Sequence, residues 1–116
     1  MEARPTPDKW TTQLRKGVLE LCILNVIAGS RRYGYEIAKT LSERHEPAVR
    51  EGTVYPILSR LRREGLLSVS LEESPEGPPR KYYALTEEGR RQLEQMNLAW
   101  DQLQRSVASL RGRNES

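Results

Sequence analysis

Cationic and hydrogen-bonding side chains recur on one side of a predicted helix from about Gly52 to Glu64. At 100° per residue, the apolar residues of this helix share one face, which must turn inward. They are Val54, Ile57, Leu58 and Leu61. The opposite face and its flanks carry side chains that suit phosphate oxygens and base edges. The candidate contacts to such groups are Gly52, Thr53, Tyr55, Pro56, Ser59, Arg60 and Arg63.

A predicted β-hairpin follows this helix and carries two more cations. The segment LSVSLE alternates apolar and polar residues, which indicates a half-buried strand. The turn-forming segment ESPEGPP separates it from a second strand, RKYYAL. Arg80 and Lys81 lie at the base of the loop, where a wing would approach a DNA backbone. Three glutamates near the tip would repel phosphates, which argues against contact by the tip itself. They are Glu72, Glu73 and Glu76.

Two earlier elements must position the helix and the hairpin. An apolar pattern from Trp10 to Ala28 predicts one long helix that is buried on more than one side. After a basic loop, SRRYGY, a short helix from about Tyr35 to Arg44 carries a single apolar stripe. This order of elements is that of a winged helix-turn-helix, and it predicts a protein that reads double-stranded DNA. The predicted fold class is mainly α with a two-stranded β wing. A solvated helix face is the alternative for the third helix alone.

A last predicted helix begins after Thr86, a candidate N-cap, and runs to about Arg111. Its apolar residues are spaced by three or four, as at the a and d positions of a heptad. They are Leu93, Met96, Trp100, Leu103, Val107 and Leu110. Because the preceding domain already has a core, we expect this stripe to be a homodimer interface, with an intrachain core as the alternative. Two identical recognition helices would match a palindromic operator.

Trp100 lies in the middle of the stripe, near the two-fold axis of the expected dimer. Two indole faces there can stack on a planar apolar small molecule, with Met96 beside them. A tryptophan that only packs the interface explains the sequence as well. The predicted organisation is therefore a flexible arm over 1–9, a winged-helix domain over 10–85, a dimerisation helix over 86–111 and a flexible tail over 112–116.

The composition sets limits on the class of protein. A formal net charge of +3 and a pI of about 9.2 permit nucleic-acid binding without demonstrating it. The single cysteine, Cys22, excludes a disulfide within the chain and fits a reducing compartment. No apolar run approaches the ~18 residues of a membrane span. We expect a soluble cytoplasmic protein without a membrane partner.

Enzymatic chemistry finds little support in the sequence. His45 is the only histidine, and no cysteine lies near it in the sequence, so a metal site is not expected. The chain has neither a glycine-rich phosphate loop nor a nucleophile elbow. We therefore expect no catalytic residue, metal or cofactor.

Four motifs together resemble the PadR family of bacterial transcriptional regulators: GVLELCILNVI, YGYEIAKTL, EGTVYPILSRLRREGLL and GPPRKYYALTEEGRRQL. The resemblance covers roughly residues 12–110, and the single short C-terminal helix is similar to that of the smaller PadR subfamily. It implies a winged-helix dimer, usually a repressor of detoxification, stress or transport genes. It also implies that Tyr55 contacts the DNA backbone and that Arg80 and Lys81 are the wing cations. Trp100 matches the tryptophan that multidrug-responsive members place at the dimer-interface pore.

Two alternatives stay open at this point. In the first, the protein is a ligand-responsive repressor that a planar aromatic effector at Trp100 releases from DNA. In the second, the winged helix is a protein-interaction module and has no operator.

Overall fold

The computed structural model describes residues 7–112, which form a winged-helix domain followed by one long helix. Residues 1–6 of the expected arm and 113–116 of the expected tail lie outside the described residues. The three strands form one antiparallel sheet in the order β1–β3–β2. The elements are α1 (Pro7–Gly17), α2 (Leu19–Ala28), β1 (Arg32–Tyr33), α3 (Gly34–Arg44), α4 (Glu51–Arg63), β2 (Leu67–Glu72), β3 (Arg80–Leu85) and α5 (Glu87–Leu110).

The first helix differs from its prediction at both its start and its middle. Helix α1 begins at Pro7, so residues 7–9, which were expected in a flexible arm, are helical. The expected single helix is divided at Val18, whose φ of −107° and ψ of 8° leave the helical region. Gly17 has a weak helix propensity and Val18 is β-branched, so this is the pair at which a bend costs least.

The sheet has three strands where the sequence predicted two. The third is β1, which lies in the segment SRRYGY that was expected to be a loop. It pairs with β3 through Arg32 opposite Tyr83 and Tyr33 opposite Tyr82. A two-residue strand shows no periodicity of its own, so only the neighbouring strand defines it. This strand brings the basic segment before α3 onto the wing.

Helix α2 forms the centre of the core, as its apolar pattern predicted. Ile23, Leu24 and Ile27 are almost completely buried. The inward faces of α3 and α4 pack around them, and Tyr83 of β3 and Leu93 of α5 close the remaining sides. Leu93, which the heptad pattern assigned to a dimer interface, therefore lies in the core of its own chain.

The turn between α4 and β2 ends the recognition helix sharply. Gly65 has a φ of +83°, a left-handed conformation that favours glycine. Its N–H donates to the Arg62 carbonyl and the N–H of Leu66 donates to the Leu61 carbonyl, both at 3.0 Å. These two hydrogen bonds define a Schellman motif, which confirms the predicted helix end at Gly65.

Helix α5 begins at the predicted cap and then leaves the domain. The Thr86 hydroxyl accepts a hydrogen bond from the Gly89 N–H at 2.9 Å and donates one to the Gly65 carbonyl at 2.7 Å. Thr86 is thus confirmed as the N-cap, and it also fastens the helix to the turn after α4. The 24 residues of α5 span about 36 Å at 1.5 Å per residue. None of the helices in residues 7–112 is both long and apolar enough to cross a lipid bilayer.

Candidate nucleic-acid interface

Helix α4 presents a polar face to solvent because its apolar residues hold the opposite face in the core. Val54, Leu58 and Leu61 are fully buried, and Ile57 is half-buried. Six residues of the outer face and its flanks are exposed: Gly52, Thr53, Pro56, Ser59, Arg62 and Arg63. Within residues 7–112, Arg62 and Arg63 form no ion pair, so both guanidinium groups are available to a ligand.

Tyr55 is anchored on α3 rather than standing free on the surface. Its side chain lies against Gly34, where a Cβ would be 2.4 Å from two ring carbons, Cε1 and Cζ, and from the phenolic oxygen, so no larger residue fits without a shift. The side chain is 37% exposed. Partial burial, followed by the nearby Glu51 carboxylate, raises the pKa of the Tyr55 phenol above its ordinary value of 10.0. The phenol is therefore neutral at physiological pH and can donate a hydrogen bond to an anion.

Arg60 differs from the other predicted contacts because it already has two partners. Its guanidinium lies 2.6 Å from the Glu20 carboxylate of α2 and 3.1 Å from that of Glu64. These hydrogen bonds, with Glu20 the stronger contributor, raise the pKa of Arg60. Arg60 joins the recognition helix to the central helix, and it would have to exchange at least one partner to bind DNA.

The two wing cations, Arg80 and Lys81, lie on β3, the strand that also carries Tyr82 and Tyr83. The register of β2 and β3 runs from Leu67 opposite Leu85 to Glu72 opposite Arg80. Arg80 and Lys81 are both exposed, and the Arg80 guanidinium lies 4.5 Å from the centre of the Tyr33 ring. A cation in this position over a ring is attracted by the electron-rich face. The structure thus places both predicted wing cations at the loop end of the sheet, as the sequence suggested.

The basic segment before α3 also reaches the wing. Arg31 pairs with the Glu72 carboxylate and lies 4.5 Å from the centre of the Tyr82 ring. The acidic side chain at this end of the hairpin is therefore partly neutralised by a cation from another element. Glu73 and Glu76 form no ion pair within the described part of the chain.

The predicted dimer stripe on α5 divides into a covered and an uncovered part. Leu93 is buried in the core, and Met96 and Trp100 are half-buried. Leu103, Val107 and Leu110 are 54%, 47% and 84% exposed. Helix α1 adds two further exposed apolar side chains, Trp10 and Leu14.

Trp100 faces a groove of about 580 Å³ between α5 and the first three helices. The apolar lining includes Leu14, Val18, Leu21, Val26 and Leu41, and Arg44 lies at its edge. Asn25 of α2 and Asn97 of α5 exchange two amide hydrogen bonds of 3.1 Å along the groove. This amide pair links α5 to the central helix, α2.

The same groove contains a histidine–cysteine contact that the sequence did not suggest. The Cys22 sulfur lies 3.7 Å from Nδ1 of His45, although 23 residues separate them. Nε2 of His45 lies 3.2 Å from the Arg15 carbonyl, which only accepts, so Nε2 carries the proton. Burial raises the pKa of the Cys22 thiol. Two side chains are fewer than a zinc site needs.

Comparison with known proteins agrees with this geometry. The family described as "Transcriptional regulator PadR-like family" matches residues 23–95, which include the second part of α2, all of α3 and α4, the wing and the first part of α5. The chain belongs to the PadR-like family. PadR-like proteins are transcriptional regulators and not enzymes. The resemblance noted in the sequence is therefore confirmed, and so is the winged-helix fold class with a C-terminal helix, with the third strand as its correction.

Three relatives show how far the similarity extends. The transcriptional regulator Rv3488 of Mycobacterium tuberculosis is 35% identical over 95 residues, which cover 82% of this chain and 87% of the relative. A crystal structure of a PadR-like regulator from Bacillus cereus has a TM-score of 0.77 at 41% identity, covering 84% of this chain and 95% of that one. A PadR family regulator from Eggerthella lenta has a TM-score of 0.82 at 32% identity, with coverage of 92% and 93%.

Sequence reasoning missed some residues at this PadR-like surface. It gave Tyr33 and Tyr82 no role beyond the fold, and it did not connect Glu20 with Arg60. The pairs Arg60–Glu20 and Arg31–Glu72 join residues about forty positions apart. No periodicity reports contacts at that separation. Only the basic character of SRRYGY beside a predicted helix-turn-helix was a visible signal.

Proposed function

We propose that the protein is a homodimeric repressor that acts in the cytoplasm and binds a palindromic operator through its two α4 helices. The observation that supports this most is the outer face of α4, which is polar and exposed and carries two arginines, Arg62 and Arg63, that form no ion pair within residues 7–112. A helix of this kind fits the major groove, where base edges present donors and acceptors. The proposed DNA contacts are Gly52, Thr53, Tyr55, Pro56, Ser59, Arg60, Arg63, Arg80 and Lys81.

The proposed contacts divide by chemistry. Arg63 is exposed and unpaired, so it reads a guanine edge or binds a phosphate, while Thr53 and Ser59 supply hydroxyls to bases. Tyr55, held on Gly34, donates its phenolic proton to a phosphate oxygen. Arg80 and Lys81 bind the backbone on the wing side. Arg60 contributes only after it exchanges Glu20 or Glu64 for DNA.

Selection of bound sequences from random duplex DNA tests whether the protein recognises a specific, palindromic sequence. Enrichment of a sequence with two inverted half-sites about 34 Å apart, or a multiple of that distance, supports a symmetric reader. Binding of the enriched duplex should fall steeply as salt rises, since several phosphates are neutralised. In transcription in vitro, a promoter that overlaps the site should lose activity when the protein is added. A rise in transcription would instead indicate an activator.

The exposed half of α5 supports the dimer. Leu103, Val107 and Leu110 form an apolar row that nothing within residues 7–112 covers, next to half-buried Trp100. Leu98 is similarly exposed, at 53%, but lies outside the heptad positions. We expect Leu103→Glu to produce monomers in sedimentation and Leu98→Glu to leave the dimer intact. Equal behaviour of the two variants would place the interface elsewhere.

The groove at Trp100 favours a second candidate, in which a planar aromatic effector controls release from DNA. Its lining is mainly apolar, and Trp100 supplies an indole face for stacking. Met96 lies with Trp100 in a neighbouring hollow between α2 and α5. The groove touches α2, α3 and α5, so a ligand there contacts both the DNA-binding domain and the proposed dimer helix. Release requires the ligand to bind two arrangements of the dimer with different affinity.

Tryptophan fluorescence tests the second candidate. Trp10 is exposed and also emits, so the Trp10→Phe variant makes Trp100 the single reporter. The probe is 1-anilinonaphthalene-8-sulfonate, whose aromatic rings suit the lining and whose negative charge suits Arg44 at the edge. Saturable quenching supports the site. In Trp100→Ala, binding is measured by the emission of the probe itself. If the probe binds this variant as strongly as it binds the wild type, its site lies elsewhere.

A further inference from the structure

The face of the sheet that turns away from the core collects charged and aromatic side chains from all three strands. Tyr83 and Leu85 of β3 are buried, so the alternate residues Arg80 and Tyr82 point to the other side. Cross-strand pairing puts Glu72 opposite Arg80 and Tyr33 opposite Tyr82 on that same side. We call this surface the outer sheet face.

Two tyrosines and two arginines form a continuous row on the outer sheet face. The rings of Tyr33 and Tyr82 are 5.3 Å apart and tilted by 57°, and together they are called the aromatic platform. Arg31 lies over Tyr82 and Arg80 lies over Tyr33, each 4.5 Å from the ring centre. The row therefore has one guanidinium at each end and aromatic rings between them. Each ring restricts where its arginine can go.

Glu72 pairs with the arginine at one end of the row only. Its carboxylate contacts the Arg31 guanidinium, whereas Arg80 forms no ion pair within residues 7–112. The two paired side chains are 49% and 38% exposed, so water screens their attraction strongly. A phosphate group can therefore replace this carboxylate at little cost.

The row lies beside the elements that carry the proposed DNA contacts. Tyr33 is the N-cap residue of α3, and its ring is 6.2 Å from that of Tyr35 in the first turn. The next residue, Gly34, supports the ring of Tyr55 from α4. The outer sheet face is thus continuous with the N-terminal end of the recognition helix, where a backbone would pass from helix to wing.

We propose that Tyr33 and Tyr82 are positioning residues that hold Arg31 and Arg80 ready for two backbone phosphates, and that Glu72 occupies Arg31 until DNA replaces it. The inference rests on the proposed DNA binding and adds Arg31 to the contacts. In the free protein the aromatic platform restrains both cations. In the complex the phosphate takes the place of the Glu72 carboxylate.

The salt dependence of binding measures whether the platform positions the cations. The probe is a labelled mixed-sequence duplex, and its affinity is measured by fluorescence anisotropy from about 50 to about 200 mM salt. The slope of log K against log salt is negative, and each lost phosphate contact reduces its magnitude by about 0.9. We expect Arg31→Ala, Arg80→Ala and Tyr82→Leu each to reduce the magnitude by roughly this amount. Tyr82→Phe, which keeps the ring, should retain the wild-type slope.

The slope separates positioning from a merely structural role. A variant that is partly unfolded contributes less active protein, but its folded fraction keeps the same number of phosphate contacts. Thermal unfolding followed by circular dichroism checks the folded state of Tyr82→Leu. If Tyr82→Leu keeps the wild-type slope, or if Tyr82→Phe loses as much slope as Tyr82→Leu, the platform does not position the cations.

A second comparison tests the exchange at Glu72. Glu72→Gln frees Arg31, while Glu73→Gln removes the same charge one residue away from a side chain without an ion pair in the described chain. We expect Glu72→Gln to tighten binding by roughly twofold to fivefold more than Glu73→Gln, because only Glu72 competes with phosphate for Arg31 and an exposed ion pair is worth little more than this. In an Arg31→Ala background that excess should vanish. Equal tightening by the two variants, or an excess that persists without Arg31, would overturn the exchange.

The wild-type protein distinguishes failure of this inference from failure of the proposed function. If the wild type does not bind duplex DNA, or binds it with no salt dependence, the proposed binding through phosphate contacts is itself wrong. If the wild type binds with a steep slope while the Tyr82, Arg31 and Glu72 variants follow their controls, only the role of the outer sheet face is wrong.

Discussion

Replacing Gly34 by alanine tests how Tyr55 is held on the recognition helix. The new Cβ would lie 2.4 Å from two ring carbons of Tyr55 and from its phenolic oxygen. Carbon atoms in contact are normally about 3.5–4.0 Å apart, so the ring must move by roughly 1 Å or more. Because the Tyr55 ring lies at the edge of the α4 surface, this movement displaces the phenol from its place on the proposed DNA-binding face.

The size of the effect follows from two opposing contributions. Inserting a methyl group into a filled site costs about 1–3 kcal/mol. Tyr55 is 37% exposed and its ring can move toward solvent, so we expect a cost of about 1–2 kcal/mol. Alanine is favoured over glycine by about 1 kcal/mol in a helix interior, but Gly34 is the first residue of α3, so the offset is smaller, roughly 0.5 kcal/mol. We expect a net loss of about 0.5–1.5 kcal/mol in the free energy of unfolding, measured by urea denaturation with circular dichroism, and weaker duplex binding by anisotropy.

Two further variants serve as controls for the Gly34→Ala experiment. Gly52→Ala also replaces a helical glycine, but nothing lies within 4 Å of its new Cβ, so we expect it to be neutral or stabilising. In a Tyr55→Ala background the cost of Gly34→Ala should disappear, since the clashing ring is gone. Wild-type stability of Gly34→Ala, or a cost that persists without the Tyr55 ring, would refute the proposed anchoring.

Three other predictions concern the cap, the recognition helix and pH. Thr86→Ala should lower the free energy of unfolding by about 0.5–2 kcal/mol, because the Gly89 N–H loses its acceptor. Thr86→Ser, which keeps the hydroxyl, should restore most of that loss. If Thr86→Ala is as stable as the wild type in urea titration, Thr86 does not act as a cap. Arg63→Ala should weaken binding of the selected duplex by about 1–3 kcal/mol if Arg63 reads a base, and unchanged anisotropy titrations would remove it from the contacts. Burial raises the pKa of Tyr83, so the folded state favours the neutral phenol. The contribution of this residue to the free energy of unfolding is therefore fully present below the ordinary tyrosine pKa of 10.0, and it is lost as the pH rises through the higher pKa of the folded state. Tyr83→Phe should reduce this alkaline loss, and an unchanged pH profile would contradict the assignment.

Most of the fold could be predicted because its signals are local. The inward face of α4 follows from the spacing of Val54, Leu58 and Leu61, and the end of α4 follows from Gly65. The bend at Val18 was missed because the apolar pattern continues through it. Strand β1 was missed because two residues carry no period and pairing with β3 alone defines them. Both errors concern features that tertiary packing decides.

The site was predicted less completely because its contacts join distant parts of the chain. Helical periodicity identified the outer face of α4 but did not show that Arg60 binds Glu20 on α2. The heptad spacing treated Leu93 and Leu103 alike, yet one is buried in the core and the other is 54% exposed. An apolar residue repeats at the same spacing whether its partner is the same chain or another. The row of arginines and tyrosines on the wing forms only because β1 pairs with β3. Since the sequence did not predict β1, it could not predict this row.

The affinity ratio between the selected duplex and a scrambled duplex of equal length tests specific reading by α4 most directly. Measured by anisotropy at one salt concentration, the wild-type ratio should reach at least about 10³, as for specific DNA-binding proteins. The same ratio in Arg63→Ala should fall if that side chain reads a base. A wild-type ratio near one would contradict sequence-specific reading by this surface.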